Sequence, residues 1–206
     1  MTETSSSAGG AAGAGVAGPA GAGAEAGGST GPSAAESAVL APIPAAEAVV
    51  CAFRADLDRH AAEGIPAHVT VISPFVAPAQ IDEHLLGALA DVVGSVPAFE
   101  VTFARCSWFG DAVLWLAPEP AAPFRALTAA LWSRFPDCPP YGGAYDDVVP
   151  HLTVGHSVEP GRLRSAARVL SRRLPFTARV ESVTLMVGGG ELDRWRLVAE
   201  LPLRPA

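Results

Sequence analysis

Pro66-Ala67-His68-Val69-Thr70-Val71-Ile72-Ser73-Pro74-Phe75 is the stretch whose reading decides the fold, because its centre returns as His151-Leu152-Thr153-Val154. Both copies are β-branched and apolar runs that read as strands. Side chains on a strand alternate faces, so the His and Thr of each copy point the same way. Each copy therefore offers one imidazole and one hydroxyl side by side on a rigid element. With five His and nine Thr in the chain, roughly 0.2 copies of His-x-Thr are expected by chance, so two are about a 2% event. The approaches also match: Ile65-Pro66-Ala67 leads into the first copy and Val148-Val149-Pro150 into the second. Two such pairs facing each other can hold a phosphate with the hydroxyls and move protons with the imidazoles.

Composition sets the frame around this pair. Residues 1–36 are almost entirely Gly, Ala, Ser, Thr and Pro with three Glu, and lack aromatic and basic side chains. Such a segment cannot bury enough apolar surface to offset its ordering entropy, so it reads as a disordered tail. The folded domain is expected over residues 37–206, a length that suits one domain or two small lobes sharing a cleft. The first basic residue is Arg54, which leaves the N-terminus without the basic start of a secretory signal, and no 20-residue apolar run appears. A cytoplasmic protein with no membrane partner is the expectation, and a monomer. The net charge is −7; three of the 21 acidic residues lie in the tail, leaving 18 against 14 basic residues, or −4, for the rest. Every basic residue is Arg. A body this acidic lacks the broad positive footprint of a general nucleic-acid binder, so an RNA or nucleotide must be held locally. Cys51, Cys106 and Cys138 are odd in number and lack C-x-x-C spacing, which reads as reduced thiols.

Periodicity places the remaining elements. A short strand over residues 37–40 precedes a helix over 45–63, stopped at Gly64. The first motif strand, 68–73, ends at Pro74. A helix over 80–94, strands over 99–103 and 112–116 and a helix over 122–134 follow. A Pro/Gly/Tyr-rich loop over 138–149 leads into the second motif strand, 151–157. A helix over 162–174 and long strands over 176–187 and 194–203, joined at Gly188-Gly189-Gly190, complete the chain. Each motif strand is followed by a helix and then a strand pair, which suggests two related lobes. Periodicity by itself supports α+β with about four helices.

The doubled His-x-Thr, with the Pro-Phe that closes the first strand and the Tyr141-Gly142-Gly143-Ala144-Tyr145-Asp146-Asp147 run before the second, resembles the 2H phosphoesterases. That superfamily includes the 2′-5′ RNA ligases and RNA 2′,3′-cyclic phosphodiesterases, and the resemblance spans roughly residues 37–204. It implies an α+β fold of two pseudo-symmetric lobes of antiparallel sheet around a central cleft, with helices outside. It also implies His68 and His151 as the acid/base pair and Thr70 and Thr153 as phosphate binders. The chemistry agrees: in-line displacement at phosphorus needs a proton acceptor, a proton donor and hydrogen-bond donors for the growing charge. Two His and two Thr supply that set, so no metal and no cofactor are expected. The expected reaction is the opening of 2′,3′-cyclic phosphates on RNA ends or nucleotides, with 2′-5′ ligation as its reverse. The alternative is a non-catalytic nucleotide- or RNA-binding module using the same cleft.

Other residues admit plainer roles beside functional ones. Phe75 either stacks on a base or closes the core. Tyr141 and Tyr145, the only tyrosines, either stack on a nucleobase at the cleft mouth or pin a Gly-rich loop. His156, five residues after His151, faces the opposite side of a regular strand and reads as structural. His60 and His84 read as exposed helix residues, and a zinc site would want closer spacing or Cys partners. Arg164, Arg168 and Arg172 form a helix stripe that reads as a solvated face. Asp146 and Asp147 stand where better-studied relatives tend to carry a basic residue, which favours a small cyclic phosphate or nucleotide over long RNA.

Overall fold

The computed structural model describes residues 35–156, 159–190 and 192–205. The tail expected over residues 1–36 lies outside the described residues except for Ala35 and Glu36, which belong to the first strand. Eight strands form two antiparallel four-stranded sheets. Strands β1 (Ala35–Pro42), β2 (His68–Ile72), β7 (Ser182–Gly189) and β8 (Leu192–Pro202) make one sheet in the order β2-β1-β7-β8. Strands β3 (Phe99–Phe109), β4 (Val113–Glu119), β5 (Leu152–His156) and β6 (Phe176–Val180) make the other, in the order β5-β4-β3-β6. Both motif strands, β2 and β5, are edge strands, and they approach each other across the molecule.

Each motif strand is delivered by the same unit of strand, helix and motif strand. In the first, β1 leads through α1 (Pro44–Leu57) to β2; in the second, β4 leads through α4 (Ala122–Arg134) to β5. The helices cross over: α1 packs on β5 and α4 packs on β2. Helix α1 buries Ala46, Val50, Arg54 and Leu57, the one-face spacing of an amphipathic helix. Helix α4 buries Phe124, Leu127 and Leu131. Each such large apolar side chain contributes roughly 1.5–3 kcal/mol by leaving water. Helices α3 (Glu83–Ser95, capped by the Asp82 carboxylate accepting from Leu85 N–H at 2.8 Å) and α5 (Pro160–Leu170) cover the remaining outer surface. Among the described residues, no helix is long and apolar enough to cross a membrane.

Alternation divides each sheet between two surroundings. Val39 and Ala41 of β1, and Leu114 and Leu116 of β4, enter the main core beneath the helices. Ala38 and Leu40 turn to the other face, with Ile65, Met186 and Trp195. Likewise Val113, Trp115 and Ala117 lie with Phe109 and Val149 on the other face of the second sheet. These second faces line the region where the motif residues gather.

Three expected element bounds need correction. The helix over 45–63 is broken at Asp58, whose backbone is extended (φ −130, ψ 106), and restarts as α2 (Arg59–Ala62). The Asp58 carboxylate, ion-paired with Arg54, accepts from the His60 N–H and so caps the new helix. The strand over 176–187 is two strands in different sheets, parted at Glu181. β3 runs to Phe109, well past residue 103, because it pairs with β4 beyond an irregularity between Phe103 and Cys106. The first sheet is completed from the end of the chain, where β7 and β8 return to it.

Candidate active site

His68 and Thr70 from β2, His151 immediately before β5 and Thr153 within it line one cleft, together with Ser73, Tyr141, Trp195 and the group Asp58, His60 and His156. The two imidazoles are held in the same way. His68 Nδ1 donates to the Pro66 carbonyl at 2.7 Å, and His151 Nδ1 donates to the Val149 carbonyl at 2.8 Å. A carbonyl only accepts, so each ring carries its proton on Nδ1 when neutral and leaves Nε2 free. In both copies the carbonyl used lies two residues before the His, which makes the tautomer a local consequence of the chain entering the strand.

A second device is repeated. In β2, Val39 pairs with Ile72 and Leu40 with Thr70, which leaves Val71 as a bulge. In β5, Leu114 pairs with Gly155 and Trp115 with Thr153, which leaves Val154 as a bulge. A bulge inverts the alternation beyond it. Ser73 and His156, each three residues after the motif Thr, are thereby turned into the cleft. The carbonyl of bulged Val71 accepts from the Thr128 hydroxyl of α4 at 3.1 Å. The expectation that His156 faces away from the site assumed a regular strand and does not hold.

The approach to His68 is fixed by buried polar contacts that sequence reasoning missed. Arg54 and Asp58, 2% and 3% exposed, form an ion pair through Nε and Nη2 to Oδ2 at 3.0 and 2.9 Å. Arg54 Nη2 also donates to the Ile65 carbonyl at 3.2 Å. Glu47 accepts from the Ala67 N–H at 2.6 Å. These contacts join α1 to the three residues before the motif. A charged pair at i,i+4 on the buried face of an apolar helix was the available signal.

Around His151, Phe109 stands edge-on at 4.9 Å, Trp115 lies at 5.8 Å and Tyr141 is nearly parallel at 6.5 Å and 18°. The residue is 6% exposed, and this burial lowers the His151 pKa, against the pull of its Val149 hydrogen bond. Burial lowers the His68 pKa to about 4, with the Pro66 hydrogen bond opposing and the Arg54 charge assisting. Burial also raises the Tyr141 phenol well above its ordinary value; its hydroxyl faces Thr70. Trp115 Nε1 has no hydrogen-bond partner among the described residues.

Of the expected stackers, Tyr141 reaches the cleft, held at φ +53 with its N–H donating to the Ser73 carbonyl at 2.8 Å. Tyr145, 37% exposed, stands edge-on to it at 6.0 Å, outside the lining. Phe75 is 7% exposed and packs edge-on against Phe135 at 5.1 Å. It closes the core rather than offering a face to a base. Arg164, Arg168 and Arg172 are exposed and lie outside the lining, as does exposed His84. His60 is a correction: it is half-buried and stacks on His156 with centroids 5.2 Å apart. The bulge and the helix break bring His60 and His156 together despite their distance in sequence. No Arg lines the cleft among the described residues.

Residues 41–191 match the family model described as the 2′-5′ RNA ligase superfamily. Solved structures share the fold at low identity. LigT of E. coli, in complex with NADP+, is similar with a TM-score of 0.52 and 18% identity over 85% of this chain and 99% of that one. The protein TT0787 of Thermus thermophilus gives 0.54 and 14% over 82% and 98%. A protein described as a phosphoesterase gives 0.51 and 17% over 82% and 98%. No curated protein sequence matches the chain.

Proposed function

The chain belongs to the 2′-5′ RNA ligase superfamily, and we propose that it is a phosphodiesterase that opens 2′,3′-cyclic phosphates of RNA ends or nucleotides, with 2′-5′ joining as the reverse. The observation that carries this reading is the duplicated His-x-Thr with both Nδ1 atoms occupied by carbonyls. It leaves two Nε2 atoms free in one cleft, one to take a proton from the attacking oxygen and one to give a proton to the leaving oxygen. The Thr70 and Thr153 hydroxyls donate to the phosphoryl oxygens as charge builds on them. This set is chemically complete for in-line displacement without a metal. Burial favours the neutral base; the acid is the imidazole whose proton the anionic phosphate stabilises. Tyr141 supplies a face for a base beside His151, and Tyr145 extends it at the rim. LigT, which shares the fold, has been solved with NADP+ and with phosphate, ligands of the class proposed here.

Hydrolysis of adenosine 2′,3′-cyclic phosphate, and of an RNA oligomer ending in a cyclic phosphate, tests the reading with EDTA present. Wild type is expected to turn over at least one, and His68→Ala and His151→Ala to lose turnover by at least about 100-fold, the lower range of acid–base catalysis. Unchanged turnover in both variants would overturn the assignment. Ligand binding by a wild type inactive on both substrates would favour the binding module.

A further inference from the structure

We propose that Asp58, His60 and His156 form a binding site for a divalent transition-metal ion of the zinc class, at the end of the cleft that holds the two His-x-Thr pairs. One oxygen and two nitrogens converge: Asp58 Oδ1 lies 3.4 Å from His60 Nδ1 and 3.5 Å from His156 Nδ1, and the three ligand atoms lie within 4.8 Å of one another. These separations are long for N–H···O hydrogen bonds, which cluster at about 2.7–3.2 Å. The two oxygen–nitrogen separations suit the edge of a tetrahedron around an ion roughly 2.0–2.1 Å from each ligand, which is about 3.4 Å.

A second observation points to a missing partner. His156 is 9% exposed and its Nδ1 has no hydrogen-bond partner among the described residues, although it is aimed at Asp58. An orphaned buried ring nitrogen is costly unless something binds it.

The surroundings have the features of a built site. Arg54 holds the other carboxylate oxygen, Oδ2, at 2.9 and 3.0 Å and so orients Oδ1. The Val154 bulge turns His156 toward the cleft, and the Asp58 cap turns the chain so that His60 stacks on it. Imidazole and carboxylate ligands without thiolate suit zinc-class ions. Three protein ligands leave one position open toward a cleft with no lining Arg among the described residues. There the ion takes water or a phosphate oxygen, and supplies the positive charge that the lining lacks.

The inference is independent of the proposed hydrolysis, and its test does not use turnover. The full chain, freed of metal with EDTA and dialysed, is titrated with Zn2+ by calorimetry and with Co2+ by visible absorption. One equivalent is expected to bind, with the intense absorption of low-coordinate cobalt. His156→Gln and His60→Gln should each weaken binding by at least about tenfold and abolish that absorption, while His84→Gln on exposed α3 should match wild type. Circular dichroism and urea midpoints show that each variant is folded, and half-buried His60 serves if His156→Gln is not. No stoichiometric binding, wild-type affinity in His60→Gln, or loss of binding in His68→Gln with retention in His60→Gln would each overturn the site. A chain that opens cyclic phosphates but takes up no ion would end this inference alone.

Discussion

Acidification of the metal-free protein should destabilise it through His68, in a window set by two pKa values. Burial holds the folded value at about 4, whereas an unfolded chain titrates near 6.5. Above about 6.5 both states are neutral and stability is complete. Between about 6.5 and 4 the unfolded chain takes a proton that the folded ring refuses, so stability falls as pH falls. Below about 4 both states are protonated and the loss from this residue stops growing. The gap between these values caps the loss at about 3 kcal/mol. Because the residue is half-buried and keeps an edge in solvent, about 2 kcal/mol is the expected size. His151 shifts in the same direction and adds loss of the same sign.

Urea unfolding followed by tryptophan fluorescence at stepped pH, in EDTA, isolates this contribution by comparing wild type with His68→Gln. Wild type should lose about 2 kcal/mol more than the variant between about pH 7 and 4. A difference under about 0.5 kcal/mol would refute the claim that the cleft desolvates His68. Phosphate provides the complementary reading. An anion seated between the motifs prefers the protonated ring, so saturating phosphate should move the His68 midpoint, followed by NMR, upward by about one unit or more. By the same linkage, phosphate should bind more tightly as pH falls through this window.

Two further substitutions probe the scaffold. Arg54→Leu leaves the Asp58 carboxylate buried with only His60 and His156 beside it and should cost about 3–5 kcal/mol, measured by urea unfolding; adding Asp58→Leu should recover part of it. Gly155→Ala places a Cβ 2.6 Å from Leu57 Cβ and 3.0 Å from the Leu57 carbonyl, neither of which can swing aside. It should cost about 1–3 kcal/mol, with a fall in kcat because α1 must withdraw from the strand carrying Thr153.

The motif strands and the α4 helix were legible because their signals are local. Alternation, a closing proline and 3.6-residue spacing at Phe124, Leu127 and Leu131 all agree with the final structure. The misses share a different cause. Nothing in Leu57-Asp58-Arg59 announces a helix break; Asp58 leaves the helix because Arg54 pairs with it and the His60 N–H needs a cap. Nothing in Val71 or Val154 announces a bulge, since both are good strand residues. The 176–187 run changes sheets at Glu181 with no turn residue to mark it. Each of these is decided by packing that local spacing does not encode. They are also the features that place His60, His156 and Ser73 at the cleft, so the site beyond the two dyads could not be read from spacing.

The symmetry of the dyads ends at their neighbours, and that difference gives the cleft a direction. Thr70 is paired across the sheet with Leu40, whereas Thr153 is paired with Trp115. The bulge after the first motif presents the Ser73 hydroxyl; the bulge after the second presents the His156 imidazole beside Asp58. His151 is ringed by Phe109, Trp115 and Tyr141, whereas His68 feels the charges of Arg54 and Asp58. A phosphate held between equivalent hydroxyls could sit either way round. In the proposed reaction its substituents are not equivalent, because an aromatic base meets Phe109, Trp115 and Tyr141 on the His151 side and the lone ring of Trp195 on the side of the first sheet. In the proposed reaction the repeated unit supplies the reacting groups, and the departures from repetition orient what they act on. The crossing of α1 onto β5 and α4 onto β2 joins both properties, since each motif strand is backed by the helix of the other unit and neither half can hold its dyad alone.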